Sequence, residues 1–376
     1  MRYVDEFRDS GLAIEIAERI RKEATRPLRL MEVCGTHTMA IARHGIKSLL
    51  PENLKLISGP GCPVCVTPQG QIDQFIELGK SRDVILATFG DMIRVPGTDS
   101  NLEAERARGA DVRVVYSPLD AVSIAQENPG KRVVFFGIGF ETTAPAVALA
   151  VVEAWKIELP NFFVLSAHKL IPPALTVLAS DPEVGIEGFI CPGHVSAIIG
   201  SETYRPIARE YGIPCVITGF EPLDILQAIY MLERQAMEGR AEVEVQYSRA
   251  VSRYGNLAAT KCVYTAFDVA DTEWRGIGVI PGSGLALRPE FAEYDASKFL
   301  PEYVPSPGNK ACECGLILKG LKSPSDCKAF GTACTPENPL GPCMVSSEGA
   351  CAAEHRYSSL TLTHTHTLTQ EPGSKP

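Results

Sequence analysis

Twelve of the 376 residues are cysteines, and two of them, Cys62 and Cys65, are separated by two residues in the segment Gly-Pro-Gly-Cys-Pro-Val-Cys. This spacing allows two thiols to close a reducible disulfide or to share a metal ion. A zinc knuckle requires a second cysteine pair nearby in sequence, which this segment lacks. Thr67 and Pro68 resemble the N-cap and first residue of a helix, whose positive end would stabilise thiolates. Redox exchange is therefore the favoured chemistry, and a zinc site or an inert pair of loop cysteines are the alternatives.

Another cysteine, Cys34, is predicted to lie at the end of a strand, in the segment Cys-Gly-Thr-His-Thr. The glycine frees the backbone, and His37 can tune the thiol or share a ligand with it. An isolated cysteine is more often a buried packing residue. The position at a strand end, beside glycine, threonine and histidine, favours a functional thiol at Cys34.

Six further cysteines fall between residues 312 and 351 and are separated by prolines and glycines. Loops of this kind wrap around a metal centre so that several thiolates converge on it, as iron-sulfur sites require. A zinc site using four of the same sulfurs is the alternative. The spacing is not that of a ferredoxin, so it predicts a metal site without naming the metal. The cysteines are Cys312, Cys314, Cys327, Cys334, Cys343 and Cys351.

Other polar residues follow predicted strands and suggest a polar cleft between two halves of the protein. Each of them alone is more often a cap, a turn or a core partner than a catalytic group. Cys215 and Cys262 lie in apolar surroundings and are expected to be packing residues. The polar residues are Asp91, Arg94, Glu141, Thr142, Thr143, His168, Cys191 and His194.

The elements that must position these residues repeat one pattern, in which a short apolar run is followed by a polar loop and a helical segment. Several runs are apolar at consecutive positions, as in strands covered on both faces of a parallel sheet. Ligands bind at the carboxyl ends of such strands. We therefore predict an α/β fold with two similar parallel-sheet domains and a smaller cysteine-rich iron-sulfur domain. The predicted strands are 28–33, 54–57, 84–88, 112–116, 132–136, 162–165, 188–190 and 214–218.

The predicted domains are residues 1–123, 124–239 and 240–357, followed by a loose tail over 358–376. A Phe-Gly junction after a strand occurs at Phe89 and again at Phe136, which hints at a duplication of the two halves. Short junctions of this kind also recur by chance.

Composition excludes several classes of function. The 36 basic and 45 acidic residues give a net charge of −9, so nucleic acid and anionic membranes are poor partners. The first residues form no apolar signal segment, and the apolar stretches are too short to span a bilayer. We expect a cytoplasmic protein, in which cysteines are more often thiols, metal ligands or redox pairs than structural disulfides.

Together these motifs resemble the HypD family of hydrogenase maturation factors over residues 33–353. The resemblance implies three domains, two of them α/β and the third holding a [4Fe-4S] cluster in surroundings similar to those in ferredoxin-thioredoxin reductase. The chain departs from the family after residue 353, where aromatic residues are replaced by Glu-His-Arg-Tyr and a Thr/His tail. The agreement lies in residues 34–38, 58–68, 88–97, 136–145, 192–195, 219–226, 274–284 and 343–353.

The resemblance also implies roles for individual residues. Cys34 would bind a transient iron that carries cyanide and CO, with His37 beside it, and Cys62 with Cys65 would form a redox-active pair near that iron. These three cysteines are the candidate iron-binding residues. The ligands of the cluster would fall among Cys314, Cys327, Cys334, Cys343 and Cys351, and Cys312 would pair with the cysteine left over.

The implied function is a scaffold for [NiFe]-hydrogenase maturation. HypC would share the iron, HypE would donate cyanide, and the hydrogenase large subunit would be reached through HypC. A disulfide reductase of the ferredoxin-thioredoxin type is the alternative, although it would not need Cys34 and His37. A structural zinc protein acting as an assembly platform is the third possibility.

Overall fold

The structure is a computed structural model that describes residues 5–306 and 308–357. In this part of the chain, eleven strands form two parallel sheets and one antiparallel hairpin. The strands are β1 Leu28–Glu32, β2 Leu54–Ser58, β3 Val84–Thr88, β4 Asp111–Val114, β5 Arg132–Gly137, β6 Phe162–Ser166, β7 Gly188–Pro192, β8 Cys215–Thr218, β9 Val243–Val245, β10 Phe267–Trp274 and β11 Gly278–Leu287.

Helices follow most of these strands and cover both faces of the two parallel sheets. Residues 350–357 are also helical. The α-helices are α1 Ser10–Glu23, α2 Gly35–Arg43, α3 Ile46–Leu49, α4 Pro63–Val66, α5 Gln69–Leu78, α6 Leu102–Ala107, α7 Pro118–Glu127, α8 Ala144–Lys156, α9 Ile171–Ser180, α10 Gly193–Ile199, α11 Arg205–Tyr211, α12 Pro222–Glu238, α13 Leu257–Ala266, α14 Cys314–Leu318 and α15 Pro342–Val345. Short 3-10 helices span Asp5–Phe7, Gly90–Met92, Glu202–Tyr204, Pro289–Tyr294, Ala296–Phe299 and Pro324–Asp326.

The predicted fold class is confirmed. The first sheet has the strand order β2-β1-β7-β8-β9 and the second has the order β4-β3-β5-β6, and all neighbours in both sheets are parallel. A cysteine-rich segment, residues 312–351, follows the two sheets and the β10–β11 hairpin. All eight predicted strands are present, and β9 and the hairpin are additions to them.

The predicted domain boundaries need correction, because the sheets are interleaved in sequence. The chain begins the first sheet with β1 and β2, builds the whole second sheet, and then returns to add β7, β8 and β9. The boundary at 123/124 falls within α7 and separates strands of one sheet, and the boundary at 239/240 removes β9 from its partner β8. Periodicity identifies a strand but not its neighbours, and a parallel pair can be distant in sequence.

The Phe-Gly junctions do not mark two similar halves. Phe89 follows β3 and Phe136 lies in β5, and these two strands pair with each other in the second sheet. The predicted tail, residues 358–376, lies outside the described part of the chain.

The second sheet is buried on both faces, which explains its consecutive apolar residues. In β5, Phe136 packs 4.3 Å from Phe75 between ring centroids, whereas the adjacent Phe135 packs 5.4 Å from Phe89 in a different apolar cluster. This is the alternation of side chains expected along a strand. Each fully buried phenylalanine contributes about 2–3 kcal/mol of burial free energy.

The cysteine-rich segment is part of the main core and not a satellite of it. Cys314, Cys343 and Cys351 belong to the same buried apolar cluster as Met31 of β1 and Cys65 of α4. Cys62, Cys65 and these C-terminal cysteines therefore share one interior. None of the helices in the described residues is long and apolar enough to cross a membrane.

Candidate functional site

Cys34 lies where β1 ends and α2 begins. β1 and β2 are parallel neighbours, so the loops that follow them meet at one edge of the sheet. The Gly35 N–H donates to the Gly61 carbonyl at 2.9 Å. A Cβ atom at Gly61 would overlap the backbone of Cys34, so glycine is required for this approach. Cys34 and the loop of Cys62 are thereby held in contact.

The Cys34 thiol is buried, with 8% of the residue exposed. Burial raises the pKa of this thiol to about 12, and the charges of Glu348 and Glu32 also raise it, while the backbone N–H of His37 acts in the opposite direction. The Cys34 N–H donates to a Glu32 carboxylate oxygen at 3.1 Å, which fixes the backbone at this position. The thiol is therefore neutral by itself, and binding a cation would release its proton.

The His37 side chain contacts the loop that follows β8. Its Nε2–H donates to the Gly219 carbonyl at 2.9 Å, which leaves Nδ1 unprotonated. Nδ1 is buried and has no hydrogen-bond partner in the part of the chain that the structure describes. Burial lowers the pKa of His37 to about 4, so the ring is neutral at physiological pH. The Phe220 ring lies 4.9 Å from His37 and 4.0 Å from His194, between ring centroids.

Cys62 and Cys65 form a disulfide with a Cα–Cα distance of 5.2 Å. The helix predicted from Thr67 and Pro68 is present as α5, which begins at Gln69 with Pro68 as its N-cap. A further short helix, α4, precedes it: Cys62 is its N-cap, Pro63 is its first residue, and the Cys65 N–H donates to the Cys62 sulfur at 3.1 Å.

The C-terminal cysteines converge beside this disulfide. The helices α14 and α15 carry Cys314 and Cys343, and both helices pack against α4. The thiols of Cys312 and Cys343 contact that of Cys314. Burial raises the pKa of Cys351, and charges on Cys312, Cys314, Cys334 and Cys327 raise it further. Cys351 therefore lies within electrostatic reach of these four cysteines.

This thiol set suits an iron-sulfur cluster. Several buried cysteines that face one another are the donors such clusters use. Among residues 5–306 and 308–357, no group of three or more Cys, His, Asp or Glu side chains is arranged to hold a single metal ion.

The cysteine-rich segment is attached to the Cys34 loop by polar residues that were not predicted from the sequence. Thr36 Oγ1 donates to a Glu348 carboxylate oxygen at 3.0 Å. A Cβ atom at Gly35 would lie 2.7 Å from the Glu348 carbonyl oxygen. In the sequence, the only feature that could have pointed to this contact is the polar Ser-Ser-Glu run between Cys343 and Cys351. Glu348 is thus a contact residue of the Cys34 loop.

Two residues of the predicted polar cleft bind the cysteine-rich segment instead of facing a cleft. One Asp91 oxygen accepts from Ser346 Oγ at 3.2 Å and from the Ser347 N–H and hydroxyl at 3.2 and 3.0 Å. Arg94 donates to the Pro336 carbonyl at 2.5 Å. Their function here is to dock one part of the chain on another.

The remaining residues of the predicted cleft make local contacts. Glu141 Oε1 accepts from the Ile171 N–H at 2.9 Å at the start of α9, and the His168 Nδ1 lies 3.0 Å from Ser166 Oγ. Cys191 contacts Cys215 on the neighbouring strand, which raises its pKa in addition to the larger effect of burial. Cys215 is fully buried, and the Cys262 thiol donates to the Pro145 carbonyl at 3.5 Å.

These features define an α/β protein with a buried thiol centre at the junction of a parallel sheet and a cysteine-rich segment. The chain belongs to the HypD family: the family model described as "Hydrogenase formation hypA family" matches residues 11–358. The family is one of hydrogenase maturation factors.

Similar proteins support this assignment. The chain is 54% identical over 368 residues to the hydrogenase maturation factor HypD of Azotobacter vinelandii, covering 95% of this chain and 97% of that one. It is 46% identical over 370 residues to HypD of Escherichia coli, covering 95% and 98%. A solved structure of a conserved domain protein from Vibrio cholerae matches with a TM-score of 0.14 and 9% identity over 72% of this chain and 99% of that one, which is too distant to inform the fold.

The contact between Gly35 and Glu348 leads to a prediction on stability. Gly35→Ala should lower the free energy of unfolding by about 1–3 kcal/mol, because the added methyl group overlaps the Glu348 backbone. Gly130→Ala is the matched control, since a Cβ atom there has no neighbour within 4 Å. Urea denaturation measures both. Equal stability of the two variants would show that the cysteine-rich segment does not dock on Gly35.

Glu141 leads to a prediction on pH. Burial raises its pKa from 4.5 to about 7. Between these values the unfolded chain loses a proton that the folded chain keeps, so the stability contributed by Glu141 is present below pH 4.5 and is lost as pH rises through 7. Glu141→Gln keeps an acceptor for the Ile171 N–H but does not ionise.

The free energy of unfolding of Glu141→Gln minus that of the wild type should therefore increase from pH 5 to pH 8, by at most about 3 kcal/mol. Urea denaturation at the two pH values measures it. The exposed Glu210→Gln is the control and should show no such trend. If the free energies of unfolding of Glu141→Gln and the wild type differ by the same amount at both pH values, the prediction is contradicted.

Proposed function

We propose that this protein is the scaffold on which the iron group of [NiFe]-hydrogenases is assembled, and that it acts in the cytoplasm with HypC. One iron, the cargo, is held between Cys34 and a sulfur of HypC while cyanide and CO are attached. The observation that carries the proposal is the contact of the Cys34 loop with the Cys62/Cys65 loop through Gly61.

Cys34 has the properties of a ligand for such an iron. A soft thiolate suits low-valent iron. The sulfur lies at the first turn of α2, where the backbone N–H of His37 favours the thiolate, and its burial keeps water from competing. His37, three residues after Cys34 in α2, offers a buried, unprotonated Nδ1 for proton movement or tuning.

The Cys62/Cys65 pair supplies electrons in this proposal. HypE delivers cyanide bound to sulfur, and cleaving that S–C bond to a thiolate and free cyanide consumes two electrons. Two thiols at Cys62 and Cys65 supply two electrons and release two protons when they form the observed disulfide. Two electrons from an external donor, delivered one at a time, together with two protons then restore the two thiols.

A cluster held by the C-terminal cysteines would pass those electrons from the donor to the disulfide. When bound, a [4Fe-4S] cluster supplies one-electron transfer; four thiols among Cys314, Cys327, Cys334, Cys343 and Cys351 would hold it, and Cys312 would pair with the one left over. The packing of α14 and α15 against α4 supports a short path to the disulfide. The finished iron group passes through HypC to the hydrogenase large subunit.

The alternative, a reductase that exports electrons to disulfides of other proteins, has one supporting observation. The disulfide is adjacent to the C-terminal cysteines, as such an enzyme requires. However, such an enzyme would not need Cys34 and His37, and the structure holds the Cys34 loop against the disulfide loop through the Gly35–Gly61 contact.

A cluster held by the C-terminal cysteines predicts a chromophore. Replacing Cys327 and Cys334 together by Ala should remove the absorption at about 400 nm from anaerobically purified protein and lower its thermal stability, because metal binding contributes to folding. Cys262→Ala, outside this group, should keep both. Full absorption in the double variant would exclude these ligands, and a colourless wild type would favour zinc.

The iron-ligand assignment predicts an infrared phenotype. Cys34→Ser keeps the size of the side chain but gives a poor ligand, since the hydroxyl stays protonated at neutral pH. The anaerobic complex of Cys34→Ser with HypC should lose the infrared bands of iron-bound cyanide and CO, and cells carrying it should lose hydrogenase maturation. The absorption at about 400 nm should remain.

Cys262→Ser is the matched control for this experiment, because Cys262 lies away from the centre and only donates to a carbonyl. It should keep the infrared bands. Full bands in Cys34→Ser would contradict the assignment, and a smaller loss in His37→Ala would agree with tuning in place of ligation.

A further inference from the structure

Arg275 lies in the turn between β10 and β11 and holds the segment that carries the redox pair. Its backbone N–H donates to the Val66 carbonyl at 2.8 Å, and its Nε donates to the Thr67 carbonyl at 2.9 Å. Its Nη1 donates to Gln69 Oε1 at 3.1 Å. These acceptors are the end of α4 and the start of α5, so the position of Cys65 depends on this arginine.

The other end of the guanidinium is unsatisfied. Arg275 Nη2 is buried and has no hydrogen-bond partner within residues 5–306 and 308–357. A buried N–H group of a charged side chain without an acceptor is costly, so an anionic acceptor is expected beside it. The structure therefore contains a donor without its ligand.

The C-terminal cysteines Cys312, Cys314 and Cys343 lie within electrostatic range of this guanidinium. The turn also touches α14 directly, because a Cβ atom at Gly315 would lie 3.0 Å from the Gly276 Cα. Gly315 is next to Cys314, so the turn and the thiols are in contact.

We propose that Arg275 is a positioning residue that couples the two thiol groups: it holds the end of α4 on one side and donates from Nη2 to the sulfur atoms gathered at Cys314 on the other. This inference rests on the proposed function, since it assigns Arg275 a role in the relay. Hydrogen bonds and positive charge near sulfur stabilise the reduced, more negative form and so raise reduction potentials.

Two variants separate the charge from the shape. Arg275→Met keeps much of the side-chain length without charge or donors, and Arg275→Lys keeps the charge without the planar fork. Arg29→Met is the matched control, because Arg29 also donates to a carbonyl of the cysteine-rich segment, Gly320, at 2.6 Å and also has a buried unpartnered nitrogen, Nε.

The measurements are two midpoint potentials in the full-length protein. One is that of the cluster, by anaerobic titration of the visible absorption. The other is that of Cys62/Cys65, by thiol trapping across a series of glutathione buffers. Arg275→Met should shift both to more negative values, Arg275→Lys should shift them less, and Arg29→Met should leave both at the wild-type values.

Unchanged potentials in Arg275→Met would overturn the proposal, and so would shifts of equal size in Arg29→Met. A general loss of structure would lower thermal stability in both variants without separating their potentials. If the wild type holds no cluster, the proposed relay fails, and Arg275 is then judged by the Cys62/Cys65 potential alone, which must still fall in Arg275→Met.

Discussion

The structure depends on one close backbone contact at the carboxyl edge of the first sheet. Gly61 reaches the backbone of Cys34, and its carbonyl accepts from the Gly35 N–H. Two loops with different chemistry, one with a lone thiol and one with a thiol pair, are joined at this point. Any side chain at Gly61 would separate them.

The cysteine-rich segment closes over this contact through a small number of polar groups. Glu348 binds the Cys34 loop, and Asp91 holds the two serines that precede Glu348. Arg275 approaches from the hairpin and binds the end of α4. These bonds surround an apolar interior that includes Cys65 and Cys343. The exposed ion pairs elsewhere contribute little by comparison.

Much of the fold could be predicted from the sequence because its strands are short, apolar and bounded by glycine-rich loops. The strand partners could not, since β1 pairs with β7 across more than a hundred residues that form a separate sheet. The boundaries proposed at 123 and 239 were wrong for this reason. Local sequence patterns indicate which residues are buried, but they do not indicate which strands pair.

In the candidate site, too, some residues could be predicted from the sequence and others could not. Cys34, Cys62 and Cys65 were identified by residue type and spacing, and the fold brings their loops together. The Thr-Pro pair at 67–68 predicted α5 to within one residue, whereas the four-residue α4 at Cys62 was missed because so short a helix has no periodic pattern. Arg275 and Glu348 were missed because a lone charged residue in a turn carries no spacing pattern, and only tertiary contacts reveal its role.

We propose that a cluster held by the C-terminal cysteines passes electrons to the Cys62/Cys65 disulfide. The most direct measurement adds reduced methyl viologen, a one-electron donor, to anaerobic protein and counts the Cys62 and Cys65 thiols by alkylation and peptide mass. In the wild type, both thiols should appear together, and in Cys327→Ala/Cys334→Ala the disulfide should persist. Equal rates of reduction in the two proteins would contradict the relay.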